Sequence, residues 1–146
     1  MSFTPRTLRD LEASFLRLEI RIEHRRRVRP KIWETRKDGP WTDADFYDWE
    51  GPCDHLIDVD TIDQADGLFL LCPKCYDDPP VGRVGTHRVI CWSPKISQDH
   101  DPKPGRWNFV GTSVDDLTLV AGSSSVLLQG GCGAHFFVRQ GRVVPC

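Results

Sequence analysis

The pattern of apolar and polar positions changes its period near the N-terminus. Apolar residues first recur at helical spacing, which predicts a short N-terminal helix. From Leu18 onward the period becomes two, because Leu18, Ile20 and Ile22 alternate with charged residues. This alternation is typical of a strand with one buried face. The apolar residues of the predicted helix are Leu8, Leu11, Phe15 and Leu16.

The C-terminal half of the chain consists of short apolar runs separated by turn residues. Runs such as 67–71, 87–92 and 135–139 are bounded by Gly, Pro, Asp or Ser, and the chain contains 11 Pro and 12 Gly. Short strands with frequent turns predict antiparallel pairing. We therefore predict a mainly β (α+β) fold, a small antiparallel sandwich or barrel-like sheet with a short N-terminal helix.

Charge is segregated along the chain, although the net charge is only −2. Residues 1–37 carry 11 basic and 5 acidic groups, whereas residues 38–66 carry 10 acidic groups and no basic one. The length fits a single domain over 1–146. Within this domain we predict a charged part over 1–50 and a metal-stapled β core over 51–146.

Two pairs of metal-binding residue types lie far apart in the sequence. Cys72-Pro-Lys-Cys75 and Cys132-Gly-Ala-His135 have the same internal spacing. A C-x-x-C pair places two thiolates on one ion, and a second pair completes a tetrahedral Cys3His zinc site. Pro73 restricts the first turn, and glycines next to Cys132 let the second turn bend closely around an ion. We therefore predict one Zn2+ bound by Cys72, Cys75, Cys132 and His135 in a ribbon-like clasp.

The six cysteines could instead form three disulfides or remain unliganded thiols. The N-terminus lacks an apolar export signal and no stretch approaches the length of a membrane span, so we expect a cytoplasmic protein with reduced thiols and no membrane contact. A thioredoxin-type motif would open a helix, but Asp78, Pro79 and Pro80 follow Cys75 closely and interrupt helices. Metal binding is therefore favoured, and Cys91 is predicted to be a buried small hydrophobe.

A series of motifs follows in a fixed order along the C-terminal part of the chain. The motifs are LCPKC at 71–75, GTHRVICW at 85–92, PGRW at 104–107, DDLTL at 115–119 and SVLLQGGCGAHFFVRQGRV at 125–143. Together they resemble a group of small uncharacterised bacteriophage and prophage proteins, over roughly residues 56–144. The resemblance implies a phage origin, a location in the cytoplasm of the infected bacterial host, and metal binding at the four residues named above, with His87 as a further candidate.

His87 follows Cys75 at the head of a predicted strand and has three interpretations. It is a polar residue at a turn, a zinc ligand that replaces one of the four, or a histidine beside an open metal position that either hydrogen-bonds a ligand from outside the coordination sphere or acts as an acid/base group. The third interpretation would suit a zinc-dependent hydrolase. However, a Cys3His set fills a tetrahedron, and three thiolates make zinc a poor Lewis acid. The sequence therefore favours a structural zinc, and we assign no catalytic residue.

Residues outside the metal motifs suggest surfaces for partners. Trp41 and Trp49 lie among the carboxylates of 38–50 and could anchor a protein partner. The basic stretch 25–31 could contact the phosphates of a nucleic acid. The favoured function is an interaction module that binds a phage or host protein, and the alternatives are a zinc-dependent hydrolase and a nucleic-acid-binding accessory protein. The basic candidates are Arg25, Arg26, Arg27 and Arg29.

Overall fold

A computed structural model of the chain describes residues 3–30, 41–79, 86–96, 104–121, 124–129 and 131–146. Strands make up 51% of the structure and helices 9%, which confirms the predicted mainly β fold. The strands in the described ranges are β1 (Arg6–Thr7), β2 (Ser14–Val28), β3 (Phe46–Val59), β4 (Gly67–Leu71), β5 (Arg88–Trp92), β6 (Asn108–Val110), β7 (Thr118–Val120), β8 (Ser125–Leu127), β9 (His135–Arg139) and β10 (Arg142–Pro145). The helix α1 is Pro73–Asp77, and short 3-10 turns lie at Asp43–Asp45 and Ile62–Gln64.

The described strands form antiparallel sheets, as predicted. Their orders are β1-β10-β9-β8, β3-β2-β4-β5 and β6-β7. One sheet is curled like a half-barrel. The pairing of β4 with β5 is the one that matters most for the metal ligands, because its register aligns Leu71 with Arg88 at the end of the ladder.

The chain divides into two compact units. Unit 1 consists of Met1–Arg17 and Ile57–Cys146, and unit 2 of Leu18–Leu56. The strands β2 and β3 each contribute residues to both units. This division differs from the one predicted near residue 50, because the N-terminal residues pair within unit 1: β1 pairs with β10, and the first residues of β2 pair with β4.

Unit 1 contains the apolar core. In β9 the side chains of Phe136 and Val138 are buried, whereas His135 and Arg139 are exposed, so the two faces of the strand are clearly distinguished. The fully buried apolar side chains include Leu8, Leu11, Leu68, Leu70, Leu117, Leu119, Val126, Phe136, Val138 and Val143. Cys91 is also fully buried, which confirms its prediction as a small hydrophobe.

The predicted N-terminal helix is replaced by a tight turn between β1 and β2. The N–H groups of Leu11 and Ala13 both donate to the carbonyl oxygen of Leu8, at 3.1 and 3.0 Å. Glu12 has a φ of 54°, the left-handed conformation that ends a helical turn. The next apolar residue, Phe15, already lies in β2. Helical spacing was therefore the wrong interpretation, because the apolar residues belong to one turn and to a strand.

In its described residues, 18–30 and 41–56, unit 2 is a two-stranded ribbon formed by β2 and β3. The N–H of Arg29 donates to the carbonyl oxygen of Asp45 at 2.8 Å, and the side chains of Glu23 and His55 meet at 2.8 Å. Residue numbers thus fall along one strand as they rise along the other, so the strands are antiparallel.

Several apolar residues of this ribbon are exposed. The alternation from Leu18 correctly predicted a strand, but Ile20 and Ile22 are 61% and 65% exposed. Leu56 of β3 is exposed as well. Among the described residues of unit 2 only Asp45 is buried. The predicted buried face of β2 is therefore wrong for this part of the strand.

Candidate metal centre

The strand β4 leads directly into the first pair of cysteines. Cys72 precedes α1 and Cys75 lies within it, while Pro73 occupies the first turn, where its missing N–H is not needed. The N–H of Tyr76 donates to the carbonyl oxygen of Cys72 at 3.0 Å. The prediction that the residues after Cys75 would prevent a helix is thus wrong for a single turn, which ends at Asp77.

His87 reaches the cysteines through the pairing of β4 with β5. Because Leu71 is aligned with Arg88, the next pair outward is Cys72 with His87. The N–H of Cys72 donates to the carbonyl oxygen of His87 at 2.8 Å. The hydroxyl of Thr86 donates to the carbonyl oxygen of Cys72 at 3.1 Å. Residues opposite each other in an antiparallel pair lie side by side, which places His87 next to Cys72.

Cys132 comes from the turn that precedes β9. Gly131 and Gly133, on either side of it, have φ values of 52° and 67°. A Cβ at either position would meet no atom within 4 Å, so these glycines are required by backbone conformation and not by lack of space. The ammonium group of Lys74 donates to the carbonyl oxygen of Cys132 at 2.6 Å, which connects α1 to this turn.

The side chains of Cys72, Cys75, His87 and Cys132 converge on one point. Their ligand atoms all lie within 4.8 Å of one another. The sulfurs of Cys72 and Cys132 are 3.7 Å apart, and Nε2 of His87 lies 3.4 Å from the sulfur of Cys132. In a tetrahedral site with Zn–S bonds of about 2.3 Å, two sulfurs are about 3.8 Å apart. The cluster is therefore a possible metal-binding site of Cys3His composition.

The thiols of the cluster have different tendencies to ionise. Burial raises the pKa of Cys72 to about 12. Burial also acts to raise the pKa of Cys132, but hydrogen bonds from the Ala134 backbone, from His87 and from the neighbouring thiols outweigh it and lower this pKa to about 7. Metal binding requires thiolates and releases their protons. All six cysteines are free thiols in the structure, so the disulfide alternative has no support.

The fourth member of the cluster differs from the predicted one. His135 lies at the exposed start of β9, opposite Leu127 of β8, and is not part of the group. Its neighbour Phe136 is buried in the core that also contains Cys72. Because side chains alternate along a strand, His135 points to the opposite face. The C-x-x-H spacing therefore identified Cys132 but not the histidine of the cluster. The strand β9 directs His135 away from the cluster, and His87 is the fourth member instead.

The helix α1 is anchored by the N-terminal segment of unit 1. Nη2 of Arg6 lies 2.5 Å from the carboxylate of Asp77, and the N–H of Thr4 donates to the same carboxylate at 2.7 Å. The guanidinium of Arg6 also stacks 4.5 Å from the ring centroid of Tyr76. The hydrogen bond from Arg6 is the main cause of a lowered pKa of Asp77. The turn that carries Cys75 is thus held by contacts that do not depend on a metal.

The two tryptophans predicted as partner anchors have different environments. Trp41 is exposed and packs against Phe46 with ring centroids 5.8 Å apart. Trp49 is half-buried, and the guanidinium of Arg27 lies 3.6 Å from its ring centroid. Trp41 therefore presents an accessible aromatic surface, whereas Arg27 covers Trp49.

The predicted basic stretch is engaged within unit 2. Arg25 pairs with Glu23 at 2.7 Å, and Arg26 pairs with Asp43 at 2.5 Å. Nε of Arg29 donates to a backbone carbonyl of the same unit at 2.9 Å. The last residue of the stretch, at position 31, lies outside the described residues. These arginines therefore carry partners of their own chain, which weakens the case for a phosphate-binding surface.

Comparison with known protein families, with curated proteins and with solved structures gives no match to this chain. The resemblance to phage proteins, and the phage origin and host location that it implies, therefore stay predictions. In the described part of the chain, no helix combines the length and the apolar character needed to cross a membrane.

Proposed function

We propose that this protein binds one Zn2+ as a structural ion and serves as a binding module for another macromolecule. The observation that supports the proposal most directly is the convergence of Cys72, Cys75, His87 and Cys132 from three separate segments of the chain. The distances from the sulfur of Cys132 to the sulfur of Cys72 and to Nε2 of His87, 3.7 and 3.4 Å, are close to the edges of a tetrahedral zinc site.

The ligand types favour zinc. Three sulfurs and one imidazole nitrogen form a soft donor set, which suits zinc better than magnesium or calcium, ions that prefer oxygen. Zinc also accepts a tetrahedral arrangement without a redox change. The metal would connect the end of β4, the start of β5 and the turn before β9.

A structural role fits the burial of the ligands. Cys72 and Cys75 are fully buried and belong to the apolar core of unit 1. Four protein ligands fill the tetrahedron and leave no position for an activated water, which a catalytic zinc needs. Structural zinc contributes roughly 10–16 kcal/mol of apparent binding free energy that couples to folding. The ion would thus stabilise unit 1 directly.

The hydrolase alternative requires His87 as a free acid/base group, and its place among the ligands removes it from that role. Among the described residues no second group of three or more His, Cys, Asp or Glu side chains is suited to hold an ion. The exposed apolar and aromatic residues of unit 2, Trp41 among them, support a binding role instead. A phage or host protein is the partner that the sequence predicts.

The test compares two histidines. Protein purified without chelator is expected to contain one zinc per chain, and substitution by Co2+ is expected to give the visible absorption of a tetrahedral site with sulfur ligands. His87→Ala should lower the zinc affinity by about 10-fold or more, because a ligand is lost. His135→Ala is the matched control and should bind zinc like the wild type, since His135 is exposed and outside the cluster.

Three results would each contradict a part of the proposal. Wild-type protein that contains no stoichiometric zinc would contradict the proposed metal binding. Loss of zinc in His135→Ala with retention in His87→Ala would restore the ligand set predicted from the sequence spacing. Hydrolysis of a substrate by the zinc-loaded protein would contradict the binding role while leaving the metal in place.

A further inference from the structure

One edge of β2 has no neighbouring strand in the described part of unit 2. β4 pairs with β2 only over Ser14–Leu16, and β3 is the other neighbour of β2 in the sheet. Over residues 20–26, β2 therefore has a strand on one side only among the described residues. Ile20 and Ile22 are exposed in this segment. An open strand edge with exposed apolar side chains can pair with another strand.

The backbone groups of even-numbered residues point to this open edge. The N–H of Arg29 donates to β3, whereas the carbonyl oxygen of Leu16 accepts a hydrogen bond on the opposite edge. Along a paired strand these directions alternate from one residue to the next. Ile20, Ile22 and His24 therefore present their N–H and C=O groups to the open edge.

We propose that this edge pairs with the same edge of a second copy of the chain, antiparallel about a two-fold axis at Ile22. In this register Ile22 faces Ile22 of the second copy, and Ile20 faces His24. All of these residues direct their backbone groups to the edge, so each pair exchanges two hydrogen bonds. The exposed isoleucines would become neighbours across the axis, as an isologous interface requires.

Charge complementarity favours a second copy as the occupant. On the other face of β2, Glu19 would lie opposite Arg25 of the second copy, and Arg21 opposite Glu23. The two-fold axis repeats each pair, and opposite charges directly across an antiparallel pair stabilise it. Within one chain the same residues form the ion pairs Glu19–Arg21 and Glu23–Arg25. When two copies pair, these ion pairs would form one continuous row of side chains whose charges alternate in sign.

The same charges oppose the neighbouring registers. A shift of the axis by one residue, to Arg21 or to Glu23, would place that residue opposite its own copy. Like charges directly opposite each other destabilise an antiparallel pair. The charge pattern therefore favours the register centred on Ile22, in which the exposed apolar residues meet, over the registers centred on Arg21 and Glu23.

Sedimentation equilibrium over a range of protein concentrations tests the proposal. The wild type is expected to show a reversible monomer–dimer equilibrium. Arg21→Glu places a carboxylate opposite Glu23 at two symmetric positions, and Glu23→Arg places a guanidinium opposite Arg21. Each variant alone should dimerise about 10-fold more weakly or worse. An equimolar mixture of the two should dimerise like the wild type, because every altered pair is again of opposite charge.

A second pair of variants covers the case in which Glu23→Arg disturbs the ribbon. Ile22→Lys leaves the ion pairs in place but brings two ammonium groups together at the axis, so it should abolish the dimer. Leu56→Lys changes an exposed residue of β3 and should leave the dimer intact. A wild type that stays monomeric at every concentration overturns the proposal. So does a dimer that persists in Ile22→Lys, or a mixture of folded Arg21→Glu and Glu23→Arg that stays monomeric.

Discussion

In unit 1 the side chains of Leu68, Leu119 and Phe136 are shielded from solvent, whereas Asp45 is the only buried side chain among the described residues of unit 2. Unit 1 combines an apolar core with a Cys3His cluster. Unit 2 relies on backbone pairing, ion pairs and arginines stacked on aromatic rings, such as Arg27 on Trp49. The same strands, β2 and β3, take part in both units.

This difference shows that strands form in both units of this chain, whereas among the described residues only unit 1 stabilises its strands by burying an apolar core. Apolar burial stabilises a structure in proportion to the area removed from water, and exposed ion pairs contribute at most about 1 kcal/mol each. Regions with few buried contacts open locally at low free energy. We therefore expect unit 2 to exchange its backbone amides faster than unit 1, and the following predictions test this comparison.

The largest effect is expected from removal of a proposed metal ligand in unit 1. Cys75→Ser should prevent zinc binding and cost most of the roughly 10 kcal/mol that structural zinc contributes, so the protein should unfold or become insoluble. Cys146→Ser is the matched control, because Cys146 is exposed and outside the cluster. Metal analysis and thermal melting provide the measurement, and equal melting temperatures for both variants would contradict the prediction.

A smaller effect is expected from a cavity in the core. Phe136→Ala removes a fully buried ring from unit 1 and should lower the free energy of unfolding by about 3–5 kcal/mol. Leu56→Ala in unit 2 should change it by less than about 0.5 kcal/mol, because Leu56 is exposed. Denaturant titration of both variants measures the difference, and a loss of similar size in Leu56→Ala would show that unit 2 has a core of its own.

A still smaller effect concerns the stacked arginines. Arg27→Ala removes the contact with Trp49 and should destabilise the ribbon by about 0.5–1 kcal/mol. Arg139→Ala removes a similar contact with Phe137 in unit 1, where the core should mask the loss. Hydrogen exchange should therefore become faster in β2 and β3 only for Arg27→Ala. Unchanged exchange in both variants would mean that the stacking adds nothing to unit 2.

The smallest effect is expected from acidification. Hydrogen bonds from Cys53, Arg25 and His55 lower the pKa of Glu23 from 4.5 to about 2. A lowered pKa stabilises the folded state above the unfolded value of 4.5, and this contribution is lost as the pH falls toward 2. Amide exchange in unit 2 should thus accelerate over this range. Glu23→Gln should remove this part of the pH dependence, and an identical profile for the variant would contradict the assignment.

The sequence predicted those parts of the fold that depend on local pattern. The alternation from Leu18 identified β2, and two spacings identified Cys72, Cys75 and Cys132. The period of two did not reveal that Ile20 and Ile22 would stay exposed, because coverage of a strand depends on whether another layer packs on it.

Identification of the fourth member of the cluster required information from strand pairing. The runs 67–71 and 87–92 were both predicted as strands, and an antiparallel pairing that ends at Leu71 places His87 opposite Cys72. That signal is present in the sequence, but the matching spacing of Cys132 and His135 points to His135 instead. Likewise, Leu8 and Leu11 fit a helix by spacing, whereas Glu12 in a left-handed conformation ends the turn.

The order of the ligands along the chain has a consequence for synthesis. Cys132 comes 45 residues after His87, and at roughly 5–20 residues per second a ribosome needs a few seconds to add them. During this interval Cys72, Cys75 and His87 can already meet, since β4 and β5 are close in sequence. The nascent chain would then carry three of the four side chains that would hold the ion, and Cys132 would complete the set only when it is synthesised.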